Sequence, residues 1–400
     1  MKNCLINYSA NIDNPKWEQM ISRETPIYKR EHDIRSEFER DYTRILHSNA
    51  HRRLKHKTQV FFSPTNDHIC TRSEHANHVE SISYTIAKYL GLNTELTKAI
   101  SNAHDLGHSP FGHQGEKILS KISQKDLGYA FWHEQNGLNF VDDVELLEDN
   151  YGNKQNLNLT YAVRDGIISH CGEIDENALR PREDFISLDT YCFPNQFAPF
   201  TWEACVVKIS DKISYIGRDI EDAISIGIID DHLEELYDLL RYSNKRNLNN
   251  GIIINDLIYD LCQNSSYENG LRFSDNSLYI LNEIKKFNYE YIYLHKKTLA
   301  PNNYFSLVLN TIYETLKSTF NGISTLKELH KLSKYYPNLA CNFKEWLENY
   351  WNLRGENNKL KNKIIFNMEN EKDFYKAIIL YISGMTDNYA MEIFNEIISF

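Results

Sequence analysis

His104-Asp105-Leu106-Gly107-His108-Ser109-Pro110-Phe111-Gly112-His113-Gln114-Gly115-Glu116 concentrates three histidines, an aspartate and a glutamate in one short run. An adjacent His-Asp pair presents one imidazole nitrogen and one carboxylate oxygen, a mixed donor set that suits a hard or borderline divalent cation. A surface turn is the plain alternative for such a dipeptide, and the neighbouring residues argue against it. Ser109 followed by Pro110 predicts an N-cap with proline at the first helical position. On the helix that follows, His113 and Glu116 lie three apart on one face, where the carboxylate orients the imidazole and favours its charged form. This spacing predicts an acid/base dyad beside a metal.

The chain on the N-terminal side of this run is predicted to be helical. Thr94 opens a helix with Leu96, Ala99, Ile100 and Ala103 facing inward, which delivers His104 and Asp105 at its C-terminal end. Before it, Ser73 caps a helix whose His75, Val79, Ile82, Ile86 and Tyr89 form one stripe, and Gly91 supplies the stop. A lone histidine on an apolar stripe is by default a core side chain bonded to backbone. Arg72 adds a guanidinium at the same helix start, where a phosphate would also be welcome. Two antiparallel helices joined by a short turn allow His75 and His104 to share an ion.

On the C-terminal side, Phe131-Trp132-His133-Glu134-Gln135 begins a helix running towards Leu147, and His133 is either a pocket-wall residue or an ordinary first-turn residue. Asn150 to Asn158 reads as a polar loop, followed by a helix that ends near His170 and Gly172. Arg180 to Phe200 holds three prolines and little periodicity. It reads as a packed surface segment, with a lid over a site as the alternative. The helix from Trp202 to about Ile226 carries a second constellation, with Asp211, Tyr215 and Asp219 at i, i+4 and i+8 and Lys212 and Arg218 beside them. Val206, Val207, Ile209, Ile213 and Ile216 leave little of this helix for solvent, and a buried aspartate needs a cation or donors.

His51-Arg52-Arg53-Leu54-Lys55-His56-Lys57 is a cationic run in a chain of net charge −11. It is a solvated face or a pocket for a polyanion, while the overall acidity disfavours a protein that coats nucleic acid through a broad basic surface. Four hundred residues, 42% of them hydrophobic, can bury a large core. Seven cysteines without a Cys-x-x-Cys spacing argue against disulfides and a cysteine zinc site. No apolar run of about 18 residues and no signal-peptide layout occurs, which places the chain in the cytosol and off the membrane. Residues 1–35 read as an arm without visible chemistry, and Pro64 and Asn66 mark a loop. After residue 230 amphipathic helices are predicted at roughly 231–245, 253–263, 276–298, 303–320, 325–350 and 371–398, the last with one break. The fold class is mainly α.

The set His75, His104-Asp105 and Asp211 resembles the signature of the HD-domain metal-dependent phosphohydrolases. Arg52 to Phe61, the His104 to His113 run, Leu157-Asn158-Leu159-Thr160, Asp211-Lys212-x-x-Tyr215-x-x-Arg218-Asp219 and Tyr381 to Asp387 resemble, more narrowly, the deoxynucleoside triphosphate triphosphohydrolases, the dGTPase family. The resemblance runs from about residue 35 to the C-terminus. It implies an HD-domain helical core over 36–230 and a helical C-terminal region over 231–400. It implies His75, His104, Asp105 and Asp211 as ligands of one divalent ion, manganese, magnesium or iron. Arg72 and Lys212 match phosphate-holding positions, Gln59 and Asp219 the residues that bond a sugar 3′-hydroxyl, and Tyr215 the aromatic against the 2′ carbon. His113 and Glu116 match the catalytic dyad, His108 and His133 histidines around the phosphates, and Tyr293 a residue near the base. Ser109, Glu74, Ala76 and Arg218 depart from the commoner pattern.

The implied reaction is hydrolysis of a deoxynucleoside triphosphate to deoxynucleoside and inorganic triphosphate. An HD phosphohydrolase of another nucleotide phosphoester, and a nucleotide- or single-stranded-DNA-binding regulator, are the alternatives. The resemblance also implies a homo-oligomer, and an activating nucleotide and single-stranded DNA are further candidate partners.

Overall fold

The computed structural model describes residues 4–27, 32–62, 66, 68–171, 177–240, 250–354 and 359–399. Pro64, Gly172 and the end of the helix predicted over 231–245 lie outside the described residues. The chain is mainly α. In order, the elements are α1 (Trp17–Met20), α2 (Glu37–His47), α3 (Asn49–Arg53), α4 (Arg72–Leu90), α5 (Thr94–Ala103), α6 (Gly112–Asp126) and α7 (His133–Asn139). Strands β1 (Leu146–Glu148) and β2 (Lys154–Asn156) precede α8 (Tyr161–Ser169), α9 (Trp202–Ser225), α10 (Leu233–Leu239), α11 (Asn250–Asn264), α12 (Asp275–Phe287) and α13 (Lys296–Leu299). The last five are α14 (Asn302–Lys317), α15 (Thr325–Leu332), α16 (Pro337–Leu347), α17 (Glu371–Ser383) and α18 (Asp387–Ile398). They form two compact units: Met1–Thr43, Gln59–His104 and Leu159–Pro301 in the first, and Arg44–Thr58, Asp105–Asn158 and Asn302–Phe400 in the second.

In the first unit α4, α5, α8 and α9 pack around a core that includes Ile82, Ile86, Val206, Ile213, Ile216 and Ile220. The start of α4 differs from expectation. Thr71, not Ser73, is the N-cap, and with Glu74 it forms a capping box that satisfies two otherwise orphaned backbone donors. At the far end Gly91 takes φ 83 and closes the helix, as predicted. Asn93 caps α5, and a hydrogen bond between the Ser83 and Ser101 hydroxyls, 2.8 Å long, pins the register of the two helices. Gly166 lets α8 approach α5, because a Cβ there would stand 2.7 Å from the Ile100 side chain. The N-terminal arm packs on this unit: Leu5, Ala10 and Met20 are buried, and the Ala10 N–H donates to the Glu203 carboxylate at 2.8 Å.

The 180–200 segment is also packed down. Asp165 of α8 pairs with Arg182 at 2.5 Å and accepts from the Phe200 N–H at 2.7 Å, while Tyr161 donates to the Ile186 carbonyl. Lys208 of α9 holds Asn195 at 2.7 Å. With both ends and the middle anchored by buried polar groups, the surface-segment reading describes it and the lid reading does not.

The second unit is built on α6, α14, α17 and α18. Here the predicted cap at Ser109 is wrong. α6 starts at Gly112, and Phe111 is its N-cap in the left-handed region, with φ 63. A non-glycine residue there costs on the order of 1 kcal/mol. Two contacts offset it: Phe111 N–H donates to Asp387 Oδ1 at 2.9 Å, and its ring stacks on Phe305 at 4.2 Å. Two further elements depart from the sequence reading. The helix opening at His133 passes into a π turn over Phe140–Val144 and ends. Glu145 is extended, its carboxylate drawn to the Asn49 N–H and to Arg53. Leu146–Glu148 then pairs antiparallel with Lys154–Asn156, inside the stretch predicted as loop. The predicted 325–350 helix is two, broken where Pro337 takes the first turn of α16.

Candidate active site

His75 lies near the start of α4 and His104 caps the end of α5, so their antiparallel packing brings the rings to 5.5 Å between centroids. Asp211 projects from α9 beside them. His75 Nε2 stands 2.8 Å and His104 Nε2 3.8 Å from Asp211 Oδ1. His75 is buried, as its apolar stripe predicts, with this carboxylate at Nε2 and the Ser214 hydroxyl 3.5 Å from Nδ1. His104 Nδ1 lies 2.6 Å from the Ser101 carbonyl, which only accepts, so Nδ1 carries the proton and Nε2 the lone pair. The three side chains present two nitrogens and a carboxylate oxygen within bonding reach of one ion. This is a donor set for a divalent cation, with one histidine already fixed in the ligating tautomer.

The same unit carries the residues predicted to hold nucleotide. Arg72 is buried in the first turn of α4 and donates to the Gln59 carbonyl at 3.5 Å. The side-chain oxygen of Gln59 is buried without a partner among the described residues, an unmet acceptor of the kind a ligand hydroxyl would satisfy. Lys212 and Tyr215 are half-buried on α9. One turn further on, Asp219 is buried and accepts from the Tyr293 hydroxyl at 2.5 Å. Burial pushes its carboxyl up to about 7, against the opposing pull of that hydrogen bond and of His75. Tyr293 is thus joined to Asp219, a pairing that its position 74 residues along the chain did not reveal. Asp222, in the next turn, accepts from the Cys70 N–H at 3.0 Å and ties the turn before Arg72 to α9.

Asp105, the next residue after His104, belongs to the second unit, which carries a further cluster of its own. Its carboxylate lies 3.0 Å from His108 Nε2, and the His108 and His133 rings stack at 3.8 Å. Glu116 accepts from the His133 N–H at 3.0 Å and lies 3.1 Å from His133 Nδ1, whereas the exposed His113 stands off at 3.6 Å. The predicted partner of Glu116 is therefore present but is the more distant of two. Burial would raise the Glu116 carboxyl, yet the charge and hydrogen bonding of His133, with the His113 imidazole nearby, hold it well below the usual range. Gly107 makes this cluster possible. A Cβ there would fall 2.0 Å from the His133 carbonyl and 2.1 Å from Gly137 N. Lys57, counted in the cationic run, is buried and donates to the His108 and Ser383 carbonyls, a structural use that charge patterning missed. Arg52 and Arg53 instead line a cavity of about 740 Å³ with Lys154, Trp346, Tyr350 and Tyr381.

An HD domain family model matches residues 72–216, which span α4 to Ile216 and hence both imidazoles and Asp211. The chain is 30% identical to a "Deoxyguanosinetriphosphate triphosphohydrolase-like protein" of Rickettsia prowazekii (strain Madrid E), over 99% of this chain and 98% of that one. It is 31% identical to the protein of the same description in Rickettsia bellii (strain RML369-C), with the same coverage. No helix among the described residues is long and apolar enough to cross a membrane. Full-length similarity at this identity, together with the HD match over the metal-capable residues, makes the chain a metal-dependent phosphohydrolase that belongs to the HD-domain, deoxyguanosinetriphosphate triphosphohydrolase-like family.

Proposed function

We propose that the protein hydrolyses a deoxynucleoside triphosphate to deoxynucleoside and inorganic triphosphate. The observation that carries this reading is the linear order of groups along α9. Asp211 faces two imidazoles, and Lys212, Tyr215 and the buried Asp219 follow on the same helix, in the unit that also holds Arg72 and the unsatisfied Gln59 oxygen. In this reading His75, His104, Asp105 and Asp211 hold one ion, and manganese, magnesium and iron all suit the donor set. A bound divalent ion supplies Lewis acidity towards phosphoryl oxygens.

The protein's own residues do the rest. Arg72 and Lys212 neutralise charge that grows on the phosphates. Gln59 and Asp219 bond the 3′-hydroxyl, Tyr215 packs against the 2′ carbon and leaves no room for a ribose hydroxyl, and Tyr293 stands by the base. His108 and His133 flank the phosphates. Water adds at the α-phosphorus, the bond to the 5′-oxygen breaks, and His113 with Glu116 manages the proton at the attacking water or the leaving oxygen. Residues 36–230 form the catalytic core, 231–400 the helical extension and 1–35 an arm, in a cytosolic homo-oligomer. The cationic and aromatic cavity around Arg52 and Tyr381 offers an activating nucleotide a place.

Purified protein is incubated with each of the four deoxynucleoside triphosphates and with GTP, with magnesium or manganese, and products are separated by ion exchange. Deoxynucleoside with triphosphate is expected, and rejection of GTP would support Tyr215 as the sugar gate. Monophosphate with pyrophosphate, or no product even with added activating nucleotides, overturns the proposal.

A further inference from the structure

We infer that His170 is a positioning residue for the metal centre, whose edge-to-face contact sets the plane of the His104 ring and so the direction of the Nε2 lone pair. The inference rests on the reading of His75, His104 and Asp211 as ligands. It comes from how firmly the first unit fixes a histidine that has no part in that ligand set.

His170 caps the C-terminal end of α8 and is buried. Its ring meets that of His104 with centroids 5.0 Å apart and planes at 81°, an edge-to-face arrangement that aromatic rings favour over parallel stacking. His170 Nδ1 lies 2.7 Å from the Ile167 carbonyl, so Nδ1 donates and the ring cannot turn without losing that bond. The backbone on either side is clamped as well. The buried Lys208 ammonium donates to the Ser169 carbonyl at 3.1 Å and to the Cys171 carbonyl at 2.9 Å, and to Asn195 Oδ1 at 2.7 Å. Burying an ammonium is costly unless its donors are met. Here two of those donor bonds go to the carbonyls that bracket His170.

Lys208 stands three residues before Asp211 on α9, so one helix carries both a metal-capable carboxylate and the anchor of this imidazole. The His104 ring is therefore held by the Ser101 carbonyl at Nδ1 and by rings of two neighbours, His75 at 61° and His170 at 81°. A ligand must be held within roughly 10–20° of its productive direction, and the contact with His170 acts on that angle.

The test measures manganese affinity by electron paramagnetic resonance in the full chain, without substrate, for the wild type, His104→Ala, His170→Phe and His170→Ala. His170→Phe keeps a ring of similar reach and removes the nitrogens. Losing a residue that orients a ligand typically weakens metal binding by about 10–100-fold. His170→Ala is expected in that range and His170→Phe close to wild type, with both melting like the parent. Wild-type affinity in His170→Ala overturns the inference. So does a His170→Phe protein as weak as His170→Ala, which would make a His170 nitrogen a ligand. If His170→Ala does not fold, His170→Gln replaces it: positioning predicts weak binding in Gln and normal binding in Phe, and direct ligation predicts the reverse. If His104→Ala binds manganese like the wild type, the ligand reading itself has failed. If His104→Ala loses manganese and His170→Ala does not, only the positioning role has failed.

Discussion

Asp219→Asn should abolish a stability penalty that the wild type acquires as pH rises. The carboxyl is buried beneath Tyr293, and burial pushes it from 3.8 up to about 7. That is about 3 pH units, and at about 1.4 kcal/mol per unit the ionised form costs the native state about 4 kcal/mol relative to the unfolded chain. Between the two values the native protein holds one proton more than the unfolded one. The stability contributed by the protonated carboxyl is thus complete below about pH 4 and lost as pH rises through about 7. Asparagine is uncharged throughout, has nearly the same shape and keeps an oxygen for the Tyr293 hydroxyl. The stability of Asp219→Asn minus that of the wild type should therefore grow by about 4 kcal/mol from pH 4 to pH 8. Urea unfolding followed by circular dichroism, in chelator so that metal contributes nothing, measures this difference at each pH. Parallel curves for the two proteins, or a gap that widens as pH falls, would refute the reasoning. If the ionised carboxylate accepts the 3′-hydroxyl, kcat/KM of the wild type should also rise with pH through about 7, and the variant should lack that limb.

Replacing Gly107 by alanine drives a Cβ into two backbone atoms that cannot yield, the His133 carbonyl and Gly137 N, and should destabilise the chain by at least about 3 kcal/mol, seen as a lowered melting temperature. His104→Ala should lose both metal and turnover, whereas His113→Ala, exposed and outside the first unit's triad, should keep its metal and lose rate by about 100-fold or more, compared by metal analysis and steady-state kinetics. Wild-type turnover in His113→Ala would remove it from the dyad. Tyr215→Ala should narrow the gap in kcat/KM between dGTP and GTP; an unchanged ratio would free Tyr215 of the gating role.

How much of this site could be read from sequence depended on how local its determinants are. His75 and His104 were legible as a pair because each sits at a helix end with its own signals, Arg72 and Gly91 around α4 and the apolar face of α5, and antiparallel packing does the rest. Asp211, Tyr215 and Asp219 were legible for the same reason, since one helix fixes their spacing. The cap at Ser109 was not, because what decides the start of α6 is Asp387 holding the Phe111 N–H from a distant part of the chain. Local serine-proline chemistry lost to a single long-range hydrogen bond. β1 and β2 leave no mark in the sequence because three-residue strands show no periodicity, and Glu145, which ends the helical stretch, is drawn off by partners near residue 50.

The same division separates residues proposed to contact an ion or substrate from those proposed to aim them. Donor types declare themselves by chemistry: an imidazole beside a carboxylate attracts attention wherever it falls. Aiming residues do not. Lys57 falls in a cationic run and Lys208 and Asp222 carry no signal of their own, yet each is bonded inside the fold to backbone at or beside a candidate-site residue: the His108 carbonyl, the carbonyls around His170, and the Cys70 N–H before Arg72. A charge buried to hold backbone is costly unless fully bonded, so where the chain buries one, the residue it braces is where geometry matters. By that criterion His170 stands with His108 and Arg72, although no motif marks it.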